Sequence, residues 1–347
     1  MIWLTWRQLR GSATMTAALL VMLVAVLALT GSQLAADYSS GIASCTRGEE
    51  CAGFYDQLFD DYQIPFMASI LVVLVLPAMI GLFWGAPMIT RELEAGTHLL
   101  VWNQSITRTR WLAVKLGFAG LLAVAAAGVS GIAVTWWSGP LDQSAPPGFA
   151  LMDPLVFSAR GIAPLGYAAF AFALGVTVGM LVRRTLPAMA LTLVLFAAVQ
   201  IAMPLLVRPH LIPPVTSAFE LGRENTDGFG INRDGTFDIR IDAAIPGHTG
   251  AWVLSSELVD PSGRTIAASG QDGRVEGVST TSGACAPAAG PPDGCPAEVN
   301  RLGYRQKATY QPLERFWPLQ WIETGIYAAF TAGLTWFCFR WIRRRLS

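Results

Sequence analysis

The sequence predicts an all-α polytopic membrane protein with six transmembrane helices and a β-rich extracytoplasmic domain between the fifth and sixth. Three observations carry that reading. The 347 residues are 53% hydrophobic and only 14% charged, with a mean hydropathy of +0.45, where a soluble chain carries about 25% charge. Apolar windows of the roughly 20 residues needed to cross about 30 Å of hydrocarbon recur six times. Between the fifth and sixth windows lies a long polar stretch that contains no such window.

The first window, 13–35, holds no charge. Arg7 and Arg10 precede it as they would a secretory signal. It is longer than a signal core of about 7–15 residues and no A-x-A site follows, so it reads as a retained span. The next windows are 66–88, 116–137, 161–182 and 186–207, which completes a five-helix transmembrane portion over 1–207. The sixth lies in 319–347, running from Trp321 to Trp341 ahead of a basic tail. Pro77 and Pro204 fall inside spans, where neighbouring helices can satisfy the backbone groups they release.

Short-loop Lys and Arg resist translocation and so set orientation. Arg7 and Arg10, then Arg91, Arg108, Arg110 and Lys115, then Arg183 and Arg184, and finally Arg340, Arg343, Arg344 and Arg345 all fall on one side of a six-span layout. Both termini are therefore expected in the cytoplasm, with the chain in the cell membrane. Cys45 and Cys51, and Cys285 and Cys295, then fall on the outer, oxidising side, as two disulfide candidates or two pairs of free thiols. Cys338 lies inside the sixth window as an apolar filler. The formal net charge of zero gives no reason to expect nucleic acid.

Residues 208–318 turn rich in Gly, Pro, Ser, Thr and Asp. Asp238 to Asp242 alternates polar and apolar side chains as a half-buried strand does, and Ala251 to Val259 has strand character. Asp260-Pro261-Ser262-Gly263 is a turn leading to Arg264–Ala267. This domain either contacts a substrate or partner or merely caps the spans.

There is no G-x-x-x-x-G-K-[ST] phosphate loop, no H-E-x-x-H and no G-x-S-x-G. With His98, His210 and His248 as the only histidines and no zinc-type cysteine spacing, neither metal nor cofactor is expected. Gln200, within the fifth window, is the one strongly polar side chain at membrane depth, and Glu323 lies at interfacial depth at the entrance of the sixth. Each can pack helices by hydrogen bonding or line a path, and Glu323 could relay protons. Two G-x-x-x-G patterns, Gly81 to Gly85 and Gly175 to Gly179, permit close helix approach.

The segment 89–115 leaves the second window as a charged helix, pauses at Gly96, and presents Leu99, Leu100 and Trp102 before a basic re-entry. Such a piece suits docking on a partner protein, or lying in the headgroup layer. Its run Arg91-Glu92-Leu93-Glu94-Ala95-Gly96-Thr97, with Leu99-Leu100 and then Arg110-Trp111 and Lys115, resembles the loop of type-2 ABC transporter permeases, in which R-E-x-E-x-G-T follows the second of six spans. Val101-Trp102-Asn103-Gln104-Ser105 resembles the actinobacterial branch, and Trp3 to Arg10 looks like the family's interfacial helix. The resemblance implies the membrane subunit of an ATP-driven transporter, most plainly an exporter. A separate cytoplasmic ATPase would dock on Arg91, Glu92, Glu94, Gly96, Thr97, Leu99, Leu100 and Trp102. It also implies no enzyme activity in this chain, and a second permease subunit, identical or homologous. The long 208–318 insertion departs from the family's small re-entrant segment. The competing class is a non-transporting membrane sensor or scaffold with an external ligand-binding domain.

Overall fold

Hydrocarbon offers no partner for a bare N–H or C=O, so apolar windows of this length fold as helices that satisfy their own backbone. The computed structural model describes residues 2–45, 48–96, 107–143, 145–232, 236–286 and 294–345, and each of the six windows is helical over most of its length. Helix α1 is Ile2–Ser44, and α2 (Gly48–Ile80) runs through a wide π turn, Gly81–Gly85, into α3 (Ala86–Glu94). Helix α4 is Arg108–Ser138, α5 is Pro154–Ala159, and α6 is Ala163–Val182. Helix α7 (Thr185–Ala202) passes through a second π turn, Met203–Val207, into the short α8 (Arg208–Leu211).

Five of these long helical stretches are both long and apolar enough to cross a membrane. The last helix of the chain, Phe316–Arg345, has 30 residues and therefore the length. Its carboxylate, Glu323, and its tryptophans make it less apolar than the other five.

The chain divides into two compact units, Met1–Ser144 with Leu155–Leu211 and Trp317–Ser347 in one, and Ala145–Pro154 with Ile212–Phe316 in the other. In the helical unit, Trp3 to Arg10 is not a separate interfacial helix. It continues unbroken into the first span, because no proline interrupts 2–44 and a single glycine such as Gly11 costs a helix only about 1 kcal/mol. The stretch between the first two windows is likewise mostly helix. Helix α1 continues to Ser44 and α2 begins at Gly48, with Tyr62 donating to Asp37 across the hairpin at 2.7 Å.

The two G-x-x-x-G patterns meet each other within this one chain. A Cβ added to Gly175 would stand 2.4 Å from the Gly81 carbonyl oxygen and 3.0 Å from the Gly85 Cα, and one on Gly179 would stand 2.9 Å from the Ala86 oxygen. Backbone therefore lies against backbone where α6 crosses the π turn. Around this crossing the core gathers Ile80, Trp84, Trp111, Phe172 and Val176, with Ala119, Ala123 and Ala127 giving α4 a small-residue face. Both π turns accompany interior prolines, Pro77 one turn before the first and Pro204 inside the second, as expected where a missing N–H breaks the i→i−4 ladder.

The second unit is β-rich. Strand β1 (Val215–Phe219), β2 (Thr226–Ile231), β3 (Phe237–Ile241), β4 (Trp252–Val259), β5 (Thr265–Ala268) and β6 (Asp272–Val275) precede helix α9 (Gly294–Arg301) and β7 (Arg305–Gln311); the last helix, Phe316–Arg345, is α10. They form a four-stranded sheet in the order β1-β7-β4-β5 and a three-stranded sheet β2-β3-β6, antiparallel throughout. Alternation buries Phe237, Ile239 and Ile241 of β3 with Leu258, Val275 and Val299. The Cys285–Cys295 disulfide closes the same core. Residues 145–154 join this unit from the other side of the fourth window: Met152 N–H donates to Gly250 O at 3.1 Å.

Candidate functional site

The last turn of α3 carries Arg91, Glu92 and Glu94, and each side chain has a different environment. Arg91 is exposed. Glu92 is only 5% exposed and turns inward. Its carboxylate pairs with Lys115 of α4 at 2.6 Å, and accepts from the Trp111 indole N–H at 3.1 Å and from the Gln8 amide of α1. The Lys115 ammonium also donates to Gln8 Oε1 at 3.0 Å and Met88 O at 3.2 Å, and sits over the Trp111 ring. One carboxylate thus ties together α1, α3 and α4.

Glu94 makes the fourth connection. It accepts from the Thr185 backbone N–H at 2.8 Å and from the Thr185 hydroxyl at 2.6 Å, capping the N-terminus of α7, where the helix dipole favours a negative charge. Thr90 adds a hydroxyl contact to Thr185 at 2.9 Å. Helix α3 then ends at Gly96, whose φ of +66° is the left-handed conformation that glycine adopts at helix ends. Thr97, Leu99, Leu100 and Trp102 lie outside the described residues. The chain resumes at Thr107, whose hydroxyl caps α4 by accepting from Arg110 N.

A second polar cluster lies among α5, α6, α8 and α10. Glu323, fully buried, receives Arg208 through two bonds, Nε at 2.7 Å and Nη2 at 2.9 Å, and also the Tyr167 hydroxyl. Arg208 further donates to Ser158 Oγ at 2.8 Å and lies over the Phe157 ring at 4.3 Å. One turn along α10, Tyr327 donates to Gln200 Oε1 at 3.1 Å and packs edge-on against Tyr167. Gln320 accepts from the backbone N–H groups of Ile162 and Ala163, capping α6. Arg160, between the third and fourth windows, is buried and pairs with Asp142 at 2.8 Å. Glu323 and Gln200 therefore share one network, both used in joining helices.

The family model described as ABC-2 membrane transporter related matches residues 17–208. The chain belongs to that family. The match covers more than half of it and takes in the Arg91–Glu94 turn, both glycine motifs and Arg208. No curated protein and no solved structure matches significantly. The chain is thus a multi-pass membrane transporter permease of the ABC-2 type, and the family implies association with an ABC ATPase and with membrane lipid.

Of the residues singled out in the sequence, the permease brings Glu92 and Lys115 into contact, joins Gln200 to Glu323 through Tyr327 and Tyr167, and links Cys285 to Cys295. The side chain of Cys51 lies outside the described residues, so its pairing with Cys45 does too. Gln8, Thr185, Arg208, Tyr167 and Ser158 are bonding partners in these clusters that the sequence did not single out. Arg208 carried the one usable signal, a charge directly at the end of an apolar run. The π turn at Met203–Val207 adds a residue to its turn, with Arg208 N–H bonded to Met203 O. That re-phases the helix by about 100° relative to simple periodicity. Among the described residues no cluster of His, Cys, Asp and Glu is placed to hold a metal.

Proposed function

We propose that the permease is the membrane subunit of an ATP-driven exporter, coupled to a separate cytoplasmic ATPase through residues 97–106. In this reading six helices span the membrane, both termini are cytoplasmic, the β-rich unit is extracytoplasmic, and two membrane subunits enclose the path. The observation that carries it is the junction at the end of α3. Glu92 binds α3 to α1 and α4, and Glu94 binds it to α7. A push on the segment that follows is thereby delivered to four helices at once.

Within this scheme Leu99, Leu100 and Trp102, with Arg91, supply the docking contacts, while Glu92 and Glu94 brace the surface rather than form it. The sensor or scaffold alternative has no comparable support, since family membership favours transport. The test is purification of the tagged chain from its native membrane with identification of stoichiometric partners. A phosphate-loop ATPase, lost on Leu100→Glu and Trp102→Glu with the thermal stability of the permease unchanged, is expected. Recovery of the chain with no ATPase would remove the coupling reading.

A further inference from the structure

Between α1 and the α2–α3 rod lies an open groove with a cavity of about 550 Å³. Its walls are graded. At one end stand Gln8, Ser12, Arg91 and Glu92, and at the other Met15, Leu19, Met79 and Phe83. We propose that this groove holds one acyl chain of an anionic phospholipid, with the lipid phosphate at Arg91.

Three features point to that occupant. The first is length. Gln8 to Leu19 rises about 16 Å along α1, close to the roughly 15 Å of a single leaflet's hydrocarbon. The second is charge. The Glu92 carboxylate is neutralised by Lys115, which leaves the exposed Arg91 guanidinium as the net charge of the mouth, with Arg7 and Arg10 exposed on the adjoining turns of α1. The third is the lining chemistry. Met15 and Met79 are flexible, polarizable side chains that adapt to a chain of no fixed shape, and both are exposed. At Gly11 an added Cβ would meet nothing within 4 Å, so the groove is open beside the helix backbone there. A second copy inserted in the same direction is a poorer occupant, because a two-fold axis along the membrane normal sets like ends together and so juxtaposes two cationic mouths.

The proposal depends on membrane insertion and shares Arg91 with the docking surface, so it is tested on the chain without an ATPase, where its failure leaves the coupling reading standing. Its test uses the full chain reconstituted in phosphatidylcholine vesicles that contain a trace of phosphatidylglycerol or phosphatidylcholine with a photoreactive group on the acyl chain. After irradiation, the labelled positions are mapped. The expected result is label at Met15, Leu19 and Met79, favouring phosphatidylglycerol by about fivefold, the preference one basic side chain at a membrane surface supports. Arg91→Gln should abolish the headgroup preference. Gly11→Leu, which fills open space and raises helix propensity, should reduce groove labelling by both probes while the protein stays folded. Equal labelling by the two probes would overturn the proposal, as would label spread alike over the groove and over exposed Leu186 and Val194 of α7. An unlabelled groove in which Met15→Cys forms a disulfide between copies would assign the groove to a second subunit instead.

Discussion

Among the described residues of the helical unit, the two ion pairs buried at both partners are chemically alike and differently enclosed. Lys115–Glu92 lies beside an open groove that Glu92 itself lines, and Lys115 keeps two neutral acceptors, Gln8 Oε1 and Met88 O. Arg208–Glu323 is sealed, its remaining valences taken by Tyr167, Ser158 and the face of Phe157. A closed pair whose loss strands a charge acts as a staple. A pair with an open side and alternative acceptors can be strained or rearranged without collapse, which suits a junction that transmits force.

That contrast is broken most directly at the staple. Glu323→Ala leaves the Arg208 guanidinium buried without its counter-ion, a change that costs about 3–5 kcal/mol. It should appear as sharply reduced yield and a lowered unfolding temperature in detergent. The double variant Arg208→Met with Glu323→Leu should recover most of the loss, because removing both charges removes the stranded one. A double variant as unstable as the single would show that the pair is not what holds these helices.

At the junction the expected cost is smaller. Glu92→Ala leaves Lys115 two acceptors, and the carboxylate removed is one that lines the groove, so it should cost no more than about 3 kcal/mol, the low end for a broken buried pair. ATPase stimulation in the reconstituted complex should fall further than stability does. An equal thermal penalty for Glu92→Ala and Glu323→Ala would erase the distinction between the two clusters. Smaller still is Glu94→Ala, which removes a helix cap at an exposed residue and should cost less than the loss of either buried carboxylate. If α3 drives α7 through this bond, coupling drops while the melting curve hardly moves. Unchanged coupling would confine transmission to α1 and α4.

How much of this was legible depended on the range of the interaction. Apolar windows and the alternation of β3 are local patterns, and they gave the helices and several strands directly. The glycine motifs announced close approach but not the partner, since nothing in Gly81–Gly85 names Gly175. Lys115 stood in the sequence as an orienting charge, and only the fold brings it 23 positions back to Glu92. Arg208 was assigned to the polar stretch because its true direction depends on a π turn that periodicity does not register. Residues 145–154 carry no strand signal of their own, and only the fold places them in the β-rich unit, where Met152 N–H meets Gly250 O.

Asp153 extends the comparison to a buried acid held without a cation. It is 7% exposed, and its carboxylate is held by backbone N–H groups of Ala150, at 2.7 Å, and Gly148. Burial pushes its carboxyl up to about 6, partly offset by those N–H bonds, against about 4 for an unfolded chain. The folded state therefore binds more protons than the unfolded state between these values. Stability from this site is full below about pH 4 and is lost as pH rises through about 6. Asp153→Asn keeps an oxygen acceptor for Ala150 and cannot ionise, so its advantage over the parent protein should grow from pH 4 to pH 6 and level off above. Thermal unfolding of both proteins across that range measures it. Parallel pH profiles would mean that Asp153 titrates like a solvated carboxylate and that backbone N–H groups can replace a cation in holding a buried acid.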